Sequence, residues 1–385
     1  MRIERFEVEG HRGIRRIAWS PADLTVLRGD GVEALAEAVF TLSHAPRGWS
    51  DLAAYIDGLA LPPTATPEGA EPATTRWRLT CAGDPGADDP RGAEYELGIY
   101  PPGDGLPWEV RYEFLRRLDE FSDVEVLRRE GAGTEYVLTP PKRATPGRPK
   151  SWRESVARDM SVLGTHRQLF EDPAVKPFAQ PLALWSRYRR FDASAGAAAR
   201  APSLFPSYDE RLVEGGGNLI NALQNLVDLA HTRPRLEALL RAAVPGHEAL
   251  SFALCDDGTV SLSHTVAGRR TPVQELPDET LRALCVIAAV LSTAPPPLVW
   301  FDGDVWDLPE ATFPAVAEAL VTLSARAQVV LAHPPDALEG ALADALSLAR
   351  PPTPQGGRAW RMERAAVRVG DDGITLQPER SDGSV

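Results

Sequence analysis

Three runs set groups capable of chemistry at the ends of apolar segments: Gly29-Asp30-Gly31 after LTVL, Asp302 after PLVWF, and His333 after AQVVLA. In open parallel sheets, ligands sit where the carboxyl ends of strands meet loops, so these three positions are the candidate site. Glycines in a strand-to-helix turn let backbone amides approach a phosphate, an Asp at a strand end can hold a metal ion, and a His there can sense charge. Each has a plainer reading. The turn needs glycine for its backbone, Asp302 can cap the turn that follows it, and His333 can pack against Pro334 and Pro335. Asp304 and Asp307 read as solvated. Two basic runs form a second candidate. Lys142, Arg143, Arg148, Lys150 and Arg153 lie in a Pro-rich loop, and Arg187, Arg189 and Arg190 interleave with Tyr188 and Phe191. Clustered cations with aromatics suit a nucleic-acid backbone, against a solvated loop or an acidic protein partner. No GxSxG, HExxH, paired CxxC or GxGxxG in a strand-to-helix context supports a hydrolase, metalloprotease, zinc or dinucleotide reading.

The elements that would carry these groups are legible from periodicity. IERFEVEGHRGIRRIAWSP reads as a strand and return strand, LTVL as a short buried strand, and a helix follows from about Glu33 to Ser43. RWRLTCA, EYELGIY, WEVRYEF and TEYVLT alternate, which predicts an antiparallel sheet of three to five strands within 76–140. From 151 to 245 the pattern is helical: NLINALQNLVDLA sets Leu219, Leu223, Leu226 and Val227 on one face, and Pro234 opens a further helix. LSFAL and TVSLSHTV are short strands, and TLRALCVIAAVLS is an apolar helix that must be buried. PLVWFD, a helix around Phe313 to Ala325, and AQVVLAHPP then give strand, helix, strand with continuous apolar runs, which predicts parallel neighbours in a covered sheet. Residues 61–75, 139–150 and 194–206 read as exposed loops, and the tail 371–385 is expected to fray.

Composition bounds the rest. The chain has 385 residues with 43% hydrophobic and 25% charged, which suits a globular core and excludes collagen-like, coiled-coil and wholly disordered readings. Its formal charge of −13 makes coating of nucleic acid by bulk charge implausible, so any such contact must be local. Cys81, Cys255 and Cys285 lie far apart and suggest neither disulfides nor a metal cage. With no signal-like start and no spanning apolar run, the expectation is a cytoplasmic protein without membrane contact.

Taken in order, MRIERFEVEGHRGIRRI, LTVLRGDGVEALAEAVFTL, LPDETLRALCVIAAVLSTAPPPLVWFDGD and AQVVLAHPPDAL resemble the ATPase heads of the ABC/SMC/RecF type. With VEGGGNLINALQNL and VPGHEALSFALCDDGTVSLS, the chain more narrowly resembles bacterial predicted ATPases that share the AAA-21-like domain with OLD-type proteins. The resemblance implies an α/β fold, P-loop NTPase-like, with a core sheet built from 1–60 and 250–350, an antiparallel β-rich lobe at 76–140, a helical insertion at 151–245, and a single head overall.

It also implies where ATP and Mg²⁺ would sit, and there the motifs depart. A phosphate loop of the form G-x-x-x-x-G-K-[ST] needs a Lys for charge and a hydroxyl for Mg²⁺. After Gly29 and Gly31 come Val32 and Glu33, in a loop about three residues short. With Asp30, two carboxylates would face a polyphosphate; at roughly 4 Å and an effective dielectric of about 20, each like-charge pair costs on the order of 4 kcal/mol. Relatives end the second strand in Asp-Glu, the Asp for metal and the Glu to activate water; here Asp302 is followed by Gly303. The signature segment carries Pro277 and Glu279 in place of Ser and Gly, with Asp278 and Thr280 as helix-start residues. His333 matches the switch histidine, and Arg12 matches a position near the nucleotide; without one, Arg12 is expected to pair with an acid.

The sequence therefore predicts a degenerate ATPase-like head, with no catalytic residue and no cofactor expected, acting as an assembly or regulatory subunit. Its partner would be a like subunit, an intact ATPase or another enzyme. Two alternatives stand beside it: an active divergent ATPase in DNA repair or phage defence, using ATP and Mg²⁺ with Asp302 and His333, and a nucleic-acid-binding module using the loop 142–153.

Overall fold

The computed structural model describes residues 1–58, 74–83, 92–100, 108–118, 123–131, 135–138, 152–165, 175–204, 210–348, 360–370 and 373–379. The chain divides into two compact units: one holds residues 1–22, 27–185 and 363–380, the other 23–26 and 186–362. The division passes through the strand Leu24–Arg28.

In the first unit, period-two patterning builds an antiparallel sheet. Its strands are β1 (Arg2–His11), β2 (Ile14–Trp19), β4 (Thr75–Ala82), β5 (Gly92–Tyr100), β6 (Glu109–Leu118), β7 (Val124–Glu130), β8 (Glu135–Leu138) and β9 (Trp152–Ser155), in the order β2-β1-β4-β5-β6-β7-β8-β9; β3 is Leu24–Arg28. Trp77, Leu79 and Cys81 of β4 and Tyr95 and Leu97 of β5 are buried on one face. The other face carries cross-strand ion pairs such as Arg78 with Glu96, directly opposite each other in register and 3.3 Å apart. β1 and β2 join through Arg12 and Gly13, with φ of 42° and 83°, the two positive values a two-residue hairpin turn of type I′ requires. The helices of this unit are α1 (Val32–His44), α2 (Trp49–Gly58), α3 (Val162–Thr165) and α4 (Lys176–Ala183).

Within this unit β6 buries a carboxylate. Glu113 is fully buried and accepts hydrogen bonds from the Tyr95 hydroxyl (2.9 Å), the Ser161 hydroxyl (2.7 Å) and the amides of Val162 (2.6 Å) and Leu163 (3.1 Å). Buried Arg129 secures the neighbouring chain through the carbonyls of Met160, Ala157 and Arg158.

The second unit contains the short strand β10 (Ser186–Tyr188), then β11 (Ser203–Leu204), α5 (Leu219–Asp228), α6 (Arg233–Ala243), β12 (His247–Leu254), β13 (Thr259–Val266), β14 (Arg269–Pro272), α7 (Asp278–Val290), β15 (Leu298–Phe301), α8 (Phe313–Ser324), β16 (Gln328–Ala332) and α9 (Asp336–Leu348). β10, β15 and β16 are parallel, in that order. β15 and β16 are buried at every residue, as their unbroken apolar runs require. The Val329 amide donates to the Asp23 carbonyl at 2.8 Å, which extends this sheet toward Leu24–Val26. A second, antiparallel sheet has the order β11-β13-β12 with β14 on β13. Nine of the thirteen residues of α7 are buried, so this helix is core on nearly every side.

The chain is thus mixed α/β with several sheets, and three local expectations change. The alternating strands of 76–140 continue through β1, β2 and β9, because an antiparallel edge accepts any partner with the right period. The segment 151–245 is not wholly helical: β9, β10 and β11 interrupt it. The tail is not frayed over 373–378, where β18 (Gly373–Pro378) pairs with β17 (Met362–Gly370) and buries Ile374.

Candidate functional site

In the first unit the Gly29–Gly31 turn carries α1 directly off β3, and the final hairpin closes over it. Gly29 has φ of 106°, and a Cβ there would lie 2.3 Å from the Val367 carbonyl oxygen. A Cβ on Gly31 would lie 2.6 Å from Ile374 and 2.8 Å from Val367 side-chain atoms. Glycine is needed here for the approach of β17 and β18. The Gly31 amide donates to the Val367 carbonyl (3.1 Å), and the Asp30 carboxylate accepts from the Val369 amide (2.9 Å). One amide of the turn that a phosphate would need is thus engaged within the unit. Val32 is 2% exposed, packed as a core residue. Glu33 is exposed in the first turn of α1, a favourable place for an acid at a helix start. Arg12, at the tip of the β1–β2 hairpin, pairs with Glu37 of α1.

In the second unit the carboxylate of Asp302, which follows β15, is held by cations. Arg187 approaches both of its oxygens, with Nε at 3.0 Å and 3.3 Å and a terminal nitrogen at 3.3 Å. Arg189 adds Nε at 3.3 Å, and the Trp300 indole donates at 2.9 Å. The side chains of Asp302 and Arg187 are 14% and 7% exposed, so solvent screens this pair weakly. Each close guanidinium–carboxylate contact is worth about 4 kcal/mol of Coulomb attraction at an effective dielectric of 20, before desolvation is subtracted. The Asp302 amide donates to the Tyr188 carbonyl (2.9 Å), which fixes the backbone from the same neighbouring strand.

Next along the chain, Gly303 lies against the strand end that carries His333. A Cβ at 303 would meet the His333 carbonyl oxygen at 2.8 Å, His333 Cβ at 3.0 Å and the Ala332 carbonyl oxygen at 3.2 Å. His333 has φ of 50°, an uncommon conformation for a residue with a side chain, and is exposed, followed by buried Pro334. Asp304 is exposed, and Asp307 is paired with Arg190 (3.1 Å) and Arg282 (3.6 Å).

Pro277 precedes α7 without offering a side-chain cap. Asp278 binds Arg200 at 2.7 Å and reaches Arg282 at 3.9 Å, while Glu279 is exposed and Thr280 half-buried. Arg200 is 6% exposed and donates to the carbonyls of Ala193, Ser194, Val273, Gln274 and Leu276 as well as to Asp278.

The structure therefore brings Asp302, Gly303 and His333 together, and the loop from Pro277 to Thr280 starts a helix in the same unit. Arg200, Arg282 and Trp300 are partners that sequence reasoning passed over. A lone Arg within SAGAAARAPS was the available signal for Arg200. The Arg187–Arg190 run is not an open basic patch: Arg187, Arg189 and Arg190 face aspartates, and Tyr188 and Phe191 are buried. Lys142, Arg143, Arg148 and Lys150 lie outside the described residues; Arg153 is on β9, opposite Val137.

In the second unit the surroundings of Asp302 do not fit a magnesium ion, because two guanidiniums occupy them. In the first unit, taken by itself, the Gly29–Gly31 turn presents a buried Val32 and has its Gly31 amide bonded to β17, so it does not offer a phosphate a cation. Among the described residues there is no group of three or more His, Cys, Asp and Glu that could hold a metal, and no helix long and apolar enough to cross a membrane.

No family model matches the sequence, and no curated protein matches it significantly. Solved structures do. An SMC head bound to the C-winged helix domain of ScpA superposes with a TM-score of 0.54 at 11% identity, covering 99% of this chain and 98% of that one. An SMC head domain with an extended coiled coil, bound to the C-terminal domain of ScpA and derived from Pyrococcus furiosus, gives 0.47 at 11% identity over 98% and 96% of the two chains. On the first of these the mixed α/β fold is that of an SMC head.

Proposed function

We propose that this chain is an ATPase-like head that works without nucleotide, as an assembly or regulatory subunit in the cytoplasm. The observation that carries the reading is the fork of Arg187 and Arg189 on Asp302, which sets cations where the resemblance to ABC/SMC-type ATPases would set Mg²⁺. Gly303, pressed against the His333 backbone, leaves no room for an activating Glu, and the engaged Gly31 amide supports the same conclusion from the other unit. A fold that keeps its packing after losing its ligand contacts retains surfaces for proteins. The SMC head of the same fold is bound to a winged helix domain, and we extend a protein partner to this chain: a second copy, an intact ATPase head, or another enzyme.

Calorimetric titration of the whole chain with ATP and Mg²⁺ tests the reading. No saturable binding and no turnover are expected up to millimolar nucleotide. Micromolar binding or hydrolysis that disappears in Asp302→Ala would establish a divergent active ATPase instead.

A further inference from the structure

The aspartates and arginines of the second unit form a connected series. Arg187 and Arg189 hold Asp302. Adjacent Arg190 holds Asp307 at 3.1 Å, and Asp307 is 3.6 Å from Arg282 on the first turns of α7. Arg282 continues to Asp278 at 3.9 Å, and Asp278 to Arg200 at 2.7 Å. Arg200 then ties five backbone carbonyls, three of them in the segment from Val273 to Leu276 that leads into α7. One end of the series is the strand end after β15; the other is the helix start at Pro277 to Thr280. The ion pairs thus link the segment from β10 to Arg200, the turn after β15 and the start of α7, the Asp302 and Asp307 groups meeting through the adjacent residues Arg189 and Arg190.

We infer that this ion-pair ladder is a built-in strut that fixes the Pro277–Thr280 helix start to the Asp302 turn, in place of a bound nucleotide. Asp307 and Arg282 are its positioning residues: Asp307, at the end of the turn that Asp302 begins, joins Arg190 to Arg282, and Arg282 joins Asp307 to Asp278 and also donates to the Phe191 carbonyl at 3.4 Å. The ladder holds the helix start in one arrangement at all times, so the surface there is formed without ligand and weakens with salt. Its exposed middle makes it salt-sensitive: Arg190 and Asp307 are each 54% exposed, whereas Arg187 and Arg200 are buried. The inference rests on the proposed nucleotide-free reading, which it deepens by naming what does the nucleotide's holding.

Hydrogen exchange of the full chain, read by mass over 277–283, tests it. Asp307→Asn and Arg282→Gln are expected to speed exchange there by about threefold to tenfold, and so is Asp302→Asn, which touches none of those residues. The segment 313–324 of α8 serves as the reference and stays unchanged. Raising sodium chloride from 0.1 M to 1 M on the unaltered chain is expected to act in the same direction, and this arm needs no variant to fold. Exchange over 277–283 that is unmoved by Asp302→Asn and by salt overturns the strut. Adding ATP and Mg²⁺ to Arg282→Gln separates the two proposals: protection restored by nucleotide overturns the nucleotide-free reading and leaves the strut standing, whereas unchanged exchange supports both.

Discussion

Glu113 in the first unit and Asp302 in the second are carboxylates withdrawn from water and satisfied by different means. Glu113 receives two hydroxyls and two backbone amides, and the guanidinium of buried Arg129 in the same unit is turned to carbonyls. Asp302 receives two guanidiniums and an indole. The first arrangement ties a chain segment down: the amides of Val162 and Leu163 are the orphan donors at the start of α3, and the acid supplies their acceptor. The second neutralises a charge at a strand end where ligands bind in folds of this kind. A carboxylate held by neutral dipoles is a fastener; one held by cations has had its charge cancelled, and a metal ion would have to displace those cations to reach it.

The largest expected effect falls on the fastener. Glu113→Ala leaves four buried donors without an acceptor and should cost about 3–5 kcal/mol by chemical denaturation. Asp302→Ala strands Arg187, but Arg189 is half in water, and about 2–3 kcal/mol is expected. A larger loss for Asp302→Ala than for Glu113→Ala would invert the comparison. Acid sharpens it further, since each unit contains a histidine with depressed basicity. Burial, helped by the charge of Arg12, lowers His11 to about 3. Burial, helped by the charge of Arg47, likewise lowers His44 to about 3. Burial, helped by His247, lowers His264 to about 4. The unfolded chain takes up these protons near 6.5 and the folded chain does not, so the stability involved is complete above about 6.5 and is lost as pH falls toward 4 and then 3. The melting temperature should decline over that window; His264→Asn should reduce the slope between about 6.5 and 4, and His11→Phe should reduce but not abolish the slope that continues toward 3, because His44 still contributes there. The smallest effect belongs to the exposed rung: Arg190→Gln should change global stability by less than about 1 kcal/mol.

Much of the frame was legible. The unbroken apolar runs of β15 and β16, the all-round burial of α7 and the helical face of Leu219, Leu223 and Leu226 follow from period and hydrophobicity, because those signals report burial directly. The buried acid was not legible. In VRYEF, period two from Val110 would turn Tyr112 and Phe114 inward and Glu113 out. Yet Ile99 pairs with Val110 and Gly98 with Tyr112, so Arg111 is an extra residue that shifts the phase and carries Glu113 into the core. β10 was hidden for another reason: SRY is three residues long, and its arginine is buried through a salt bridge, which hydrophobicity does not register. At the candidate site, Gly29, Gly31 and Asp302 could be located by sequence. What occupies their polar groups could not, because Val367 and Arg187 lie 336 and 115 residues from their partners Gly31 and Asp302.

The contact between Gly303 and the backbone of Ala332 and His333 limits which substitutions the turn accepts. Some glycine codons become glutamate codons by one base change, so in an open turn an acid at 303 would be a near mutational neighbour. Here the incoming Cβ collides with carbonyl oxygens, and a variant gaining the carboxylate must also rebuild the strand end that carries His333. Intermediates on that route lose stability before they gain chemistry, and they are the ones purged first in a marginally stable protein. The turn acts as a ratchet: with the backbone closed in on Gly303, an acid can enter there only together with changes in the strand end beside it.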